Sequence, residues 1–269
     1  MTFREWRTFF RTLKHNPIYQ REAGLIGEPN PFYNGLRKYA FFFFLAALVL
    51  GACGGVSNRS YLLGLDPNAA ILWGMVCIPA MLISMVTLYG LLMAPALTAP
   101  ALRLERDRGT WDILRLTPQP VSMILVAKVL GGLRRLGIWK ILLVLTAIEG
   151  LVLGIGGLFT EEGLYAVGLA GGLTAVIRPW IEILFSAALG MYLSTWVGSA
   201  SVTLALTYGG LLLFRMFNNT FLWMGIWGGL LQQNEETTIA LGLLFPTLMY
   251  VIAVIFLGFG IIRRANKYG

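Results

Sequence analysis

Residues 239–262 read IALGLLFPTLMYVIAVIFLGFGII, an apolar run without one charged side chain. A helix of ~20 residues, rising ~1.5 Å per residue, crosses the ~30 Å hydrocarbon core of a bilayer, so this run is long enough to span it. Its flanks are polar: Glu235 and Glu236 precede it, Arg263 and Arg264 come after it. Comparable runs recur along the chain. Over 269 residues, 57% are hydrophobic and 13% charged, against ~45–50% and ~25% in soluble domains. That balance excludes a soluble domain. A transmembrane β-barrel would show ~10-residue alternating segments instead of continuous runs. The expected fold class is therefore an all-α integral membrane protein.

Six spans are expected, at about 39–56, 71–96, 137–158, 165–193, 199–217 and 239–262. Together they form a membrane domain over 39–269, preceded by an interfacial segment over 1–38. Lys and Arg in short loops stay on the cytoplasmic side. Segment 1–38 carries seven such residues and 97–136 another seven, and the tail adds Arg263, Arg264 and Lys267. Loop 57–70 has only Arg59, and loops 159–164 and 218–238 have none, carrying Glu161, Glu162, Glu235 and Glu236 instead. Both termini are expected in the cytoplasm. The net charge of +8 arises from these basic loops, so nucleic acid is not an expected partner. Cys53 and Cys77 both sit in apolar runs, which leaves no disulfide framework and no metal-binding spacing. The start of the chain, with Arg4, Glu5, Trp6 and Arg7, lacks the pattern of a removable signal peptide.

Two polar segments stand out. In 2–14, Phe3, Trp6, Phe10 and Leu13 fall on one helical stripe, while Arg4, Arg7, Arg11 and Lys14 fall on another. Such a helix lies in the headgroup plane of an anionic leaflet, making the lipid bilayer itself a partner. Asn16-Pro17 ends it. The second segment is Glu105-Arg106-Asp107-Arg108-Gly109-Thr110-Trp111-Asp112-Ile113-Leu114-Arg115-Leu116-Thr117-Pro118. It reads as a charged turn and a short helix. Gly109 permits a sharp change of direction, Thr110 is suited to cap, Asp112 favours the helix N-terminus, and Pro118 stops the helix. Trp111, Ile113, Leu114 and Leu116 are available to bury against bilayer or partner.

This segment resembles the permease subunits of ABC transporters, specifically the type-two exporter class. Members show acidic-Arg-acidic-Arg-Gly-Thr, a bulky residue, an acidic residue, Leu/Ile-Leu, and Thr-Pro or Ser-Pro shortly after. Glu105 through Pro118 matches that order, with Trp111 as the bulky position and Asp112 as the acidic one. Asn16-Pro17-Ile18-Tyr19-Gln20-Arg21-Glu22 and the six-span layout extend the resemblance over most of the chain. It implies a coupling helix between spans two and three that docks on a separate ATPase subunit. It also implies a second permease, identical or related, so that two permeases and two ATPases work together. ATP and Mg would then belong to the partner and no cofactor to this chain. The separate-subunit form implies a prokaryotic plasma membrane.

Ionisable residues at membrane depth cost ~2.5–3.5 kcal/mol at a helix centre by insertion scales, so each calls for a partner or a function. Glu149, Arg178 and Glu182 are in that position. Arg178 and Glu182 are i, i+4 and can pair, with Pro179 between them expected to kink the helix. A cross-helix pair between Glu149 and Arg178 that rearranges in transport is one reading, and a static ion pair is the other. Lys140, Arg215, Arg37 and Lys38 lie near span ends, where long side chains reach headgroups. The pairs Gly51/Gly55, Gly150/Gly154 and Gly168/Gly172 permit close helix contact. Loop 218–238, with Phe221, Leu222, Trp223, Met224, Ile226 and Trp227, is too apolar for a free loop. It is read either as a re-entrant segment buried against protein or as an interfacial aromatic belt.

Residues for enzyme chemistry are lacking. No Gly-x-x-x-x-Gly-Lys-Ser/Thr run occurs, so ATP hydrolysis by that device is excluded from this chain. The single histidine, His15, leaves no His-based metal site or triad. The expected function is the non-catalytic permease subunit of an ATP-driven exporter with a hydrophobic or amphipathic substrate. The alternative is a non-transporting scaffold or regulatory subunit of a larger membrane complex.

Overall fold

A computed structural model describes residue 8 and residues 11–26, 67–117, 119–158, 165–231 and 235–268. Phe3, Arg4, Trp6, Arg7 and Phe10, the span expected at 39–56, and Pro118 lie outside the described residues. The described elements are helical: α1 (Pro17–Glu22), α2 (Pro67–Thr98), α3 (Ala101–Asp107), α4 (Thr110–Arg115), α5 (Val121–Arg135), α6 (Trp139–Leu158), α7 (Tyr165–Ser194), α8 (Ala200–Phe217), α9 (Thr220–Leu230) and α10 (Glu235–Tyr268). Among the described residues, five helical stretches are long and apolar enough to cross a membrane: Ala80–Thr98, Trp139–Gly156, Tyr165–Ser194, Ala200–Leu230 and Glu235–Arg264. The chain thus has the helices of an integral membrane protein. Each coincides with a run expected from sequence, and the stretch Ala200–Leu230 extends the expected 199–217 through α9.

α7 lies at the centre, packing against α10, α6 and α2, with α8 on a further side. The outward stripe of α6 shows why this arrangement suits lipid. Ile141, Val144, Ile148, Leu151 and Ile155, spaced three and four apart, are all exposed. Apolar surface gains nothing by leaving lipid for protein, so helices associate through close packing and hydrogen bonds. Gly150 and Gly172 supply the first: a Cβ on Gly172 would stand 2.8 Å from the Gly150 carbonyl oxygen, and one on Gly150 would meet the Val176 side chain at 2.3 Å. Gly154 stands at the same crossing, with its backbone 3.2 Å from that Gly172 position. Asn218 supplies the second. Its Nδ2 donates to the Pro246 carbonyl at 2.7 Å, and its Oδ1 accepts from Trp223 Nε1 at 3.1 Å. These bonds tie the α8–α9 turn to α10, along which α9 packs. Pro179 and Pro246 both sit inside their helices without ending them.

Buried residues gather toward the end of the bundle where α3, α4 and α5 lie. One cluster joins Val86, Met93 and Ala94 of α2 with Leu133, Leu142, Ile183 and Ala187. Another joins Ala101, Leu102, Trp111, Leu125, Met191 and Ile261, and a third sets Ile18 and Tyr19 on Met123, Ile124 and Ala127. The segment 97–136 is therefore a folded layer of three helices and not a loop around one. α5 makes this possible. Its run VSMILVAKVLGGLRR buries Met123, Ile124, Leu125, Ala127 and Lys128 under α1 and the membrane helices.

Candidate functional site

The polar layer is built around a turn at Gly109, whose φ of +67° places it in the left-handed region that glycine adopts without strain. This turn separates α3 from α4, which stay in contact across it. Thr110 does not cap α4; the cap position is Gly109, and no side chain caps the helix. Thr110 is already the first helical residue, one position past the cap. The Thr110 hydroxyl donates to the Glu105 carboxylate and thereby staples the two short helices together. Asp112 is in the first turn of α4, where its charge favours the helix dipole.

Glu105 is the hub. Its carboxylate is buried and accepts from Thr110, from the Arg21 guanidinium and, at 2.9 Å, from Lys128 Nζ. Lys128 also donates to Glu22 at 2.9 Å, and Arg21 contacts Glu22 at 3.1 Å. Two acids and two bases from α1, α3 and α5 thus neutralise one another. The Lys128 side chain is 1% exposed. Burial alone would push the Glu105 carboxyl up, but the Thr110 hydroxyl and the neighbouring Lys128 and Arg21 charges outweigh it and bring it down to about 2. A carboxylate held below its ordinary value of 4.5 contributes stability that is complete above that value and is lost as pH falls toward about 2. The melting midpoint of the purified chain in mild detergent is expected to fall between those values, and Glu105→Gln is expected to flatten that part of the profile.

α1 seats itself on α5 by matched local chemistry. Asn16 Oδ1 accepts from the Ile18 N–H at 3.0 Å, with Pro17 opening the helix, and Asn16 Nδ2 donates to Gln119 Oε1 at 3.0 Å. Tyr19 lies on the same face; its hydroxyl accepts from Arg134 at 3.3 Å. Gly131 lets the two backbones meet: a Cβ there would stand 2.9 Å from the Tyr19 carbonyl oxygen and 2.6 Å from Glu22 Cβ.

Seen from outside, α4 has two faces. Trp111 is buried and Leu114 half-buried against α5, while Asp107, Arg108, Asp112, Ile113 and Leu116 are exposed. Ile113 is 65% and Leu116 86% exposed. Of the residues expected to contact a partner, Glu105 and Trp111 face inward and hold the element, and Arg106 and Thr117 are half-buried. Thr117 donates back to the Leu114 carbonyl at 2.7 Å, closing α4. Arg11 is exposed on the N-terminal segment. Sequence reading missed Arg21, Glu22 and Lys128 as a unit. The available signal was Lys128 itself, a single charge within the otherwise apolar VSMILVAKVLGGL.

Within the membrane helices, Arg178 Nε donates to Glu182 at 2.7 Å and Arg178 Nη1 to the Thr220 hydroxyl at 3.0 Å. The expected i, i+4 pair forms. The Glu149–Arg178 pair does not: Arg178 turns toward α9, while Glu149 Oε2 is buried without a hydrogen-bond partner. α9 places Phe221, Leu222 and Ile226 outward, with Trp223 and Trp227 packed on Phe245. Comparison of the chain with protein-family models, with curated proteins and with solved structures gives no match.

Proposed function

We propose that this chain is the membrane-spanning permease subunit of an ATP-driven ABC exporter, working beside a second permease and two separate ATPase subunits. The observation that carries the reading is the exposed apolar pair Ile113 and Leu116 on a short helix fixed from behind by buried Trp111 and Glu105. A force-receiving element must present an adhesive surface and must not swing freely on its own protein. The buried ion network supplies the second property, and the Asp107, Arg108 and Asp112 charges around the apolar pair suit a groove of mixed charge. The order of residues from Glu105 to Pro118, which resembles that of type-two exporters, supports the same reading.

In this arrangement ATP and Mg bind the partner, and this chain supplies the path. ATP binding shifts an inward/outward equilibrium to the extent that the ATPase binds the two states differently. The polar layer faces the cytoplasm of a prokaryotic plasma membrane, and α9, packed along α10, is the re-entrant segment at the outer end. Together with the apolar run expected at 39–56 from the sequence, the reading counts six spans.

A pull-down in mild detergent from the native membrane tests this. Glu105 is unsuited as a docking probe because its loss disturbs the fold, so the informative variant is Ile113→Glu/Leu116→Glu. Wild type is expected to recover an ATPase bearing a Gly-x-x-x-x-Gly-Lys-Ser/Thr motif, and the variant at least tenfold less, with its melting midpoint unchanged. Recovery of another stable partner and no ATPase from wild type would replace the exporter reading with that of a scaffold subunit.

A further inference from the structure

Glu149 is 4% exposed, halfway along α6, and its Oε2 has no hydrogen-bond partner. α6 packs chiefly on α7 and α2. The sequence of α2 contains no Asp, Glu, Lys, Arg or His, and its Tyr89 is packed against the buried cluster around Val86 and Ile138. α7 carries Arg178 and Glu182, which are bonded to each other and, through Arg178, to Thr220. The remaining cation of α6, Lys140, is exposed at its first turn. Thr146, one turn before Glu149, is the nearest polar side chain on its own helix, but its hydroxyl proton is given to the Leu142 carbonyl at 2.8 Å and its oxygen accepts from Trp180 Nε1 at 3.4 Å. Next to Glu149, Gly150 meets Gly172 and Val176, so α6 and α7 are in close backbone contact one residue away.

A carboxylate anion needs solvent, donors or a cation, and this position supplies no cation among the described residues. A neutral carboxyl satisfies the same space with no net charge to stabilise. The geometry points to Glu149 as a proton-binding site: the ligand is one proton, held at neutral pH as part of the α6–α7 crossing. The equilibrium is R–COO⁻ + H⁺ ⇌ R–COOH, with water as the proton source before the helix pair closes. This is independent of whether the chain belongs to an exporter.

Infrared spectroscopy of the full chain in lipid nanodiscs at pH 7 tests the assignment. The expected result is a carbonyl stretch of a protonated carboxylic acid, one per chain, that Glu149→Gln removes. Glu149→Asp, which keeps the group while moving it, is expected to shift that band and provides the assignment should the Gln variant not fold. Absence of an acid band from wild type overturns the inference. So does a spectrum in which the substitutions alter carboxylate stretches instead.

Discussion

Lys128→Ala is expected to cost about 3 kcal/mol, near the lower end of the ~3–5 kcal/mol found when one partner of a buried ion pair is removed. The lower end applies because Arg21 remains beside Glu105 and Glu22 after the ammonium is lost. For a chain of this size the loss corresponds to a melting midpoint lowered by roughly 6–12 °C. Both carboxylates accept from Lys128 at 2.9 Å, so its removal leaves two anions near each other with one half-exposed cation between them. The aliphatic stem also fills space in α5, so Lys128→Met, which keeps the stem, is expected to cost less than the alanine variant. Tryptic cleavage at Arg21 should accelerate as α1 loosens. The double variant Glu105→Gln/Lys128→Met should cost less than the sum of its single variants by about 0.5–3 kcal/mol, the coupling expected within one network. Strict additivity would show that the two groups do not act together.

Gly131→Ala and Gly132→Ala, adjacent on α5, should have opposite consequences. At Gly131 the new methyl meets the backbone oxygen of Tyr19 at 2.9 Å, which cannot yield without lifting α1. Overpacking of this kind costs about 1–3 kcal/mol. At Gly132 the nearest atoms are Leu97 Cβ at 3.6 Å and Thr98 Cγ2 at 3.7 Å, an ordinary van der Waals distance. There the gain in helix propensity, up to about 1 kcal/mol, is unopposed. Thermal melting separates the pair: Gly131→Ala below wild type, Gly132→Ala at or above it. Equal destabilisation by both would mean that α1 does not seat on Gly131.

The sites themselves show how far a linear reading reaches. The helices after residue 67 were legible because hydrocarbon imposes a length and forbids unpaired backbone, so an apolar run of sufficient length has one outcome. The pairing of Arg178 with Glu182 was legible for a similar reason, since four residues is one helical turn. Glu149 and Arg178 could not be resolved in this way. Both are charged and both are at membrane depth, but which side of its helix each occupies relative to the neighbour depends on the rotation of α6 and α7, and that is set by the Gly150–Gly172 contact.

The amino-acid sequence by itself determined the all-helical, apolar character of the protein, the positions of the five described helices long enough to cross a membrane and the presence of a charged turn leading into a short helix at 105–117. Composition and local periodicity are properties of neighbouring residues, and the bilayer acts on them directly. Only the tertiary structure decided that Glu105 turns inward while Ile113 and Leu116 turn outward. That sorting is made by Arg21 and Glu22, more than 80 positions from Glu105 in the chain, and by Lys128 on a third helix. A charge in sequence carries no mark of its partner, and a buried network forms only where separate helices bring opposite charges within hydrogen-bond distance.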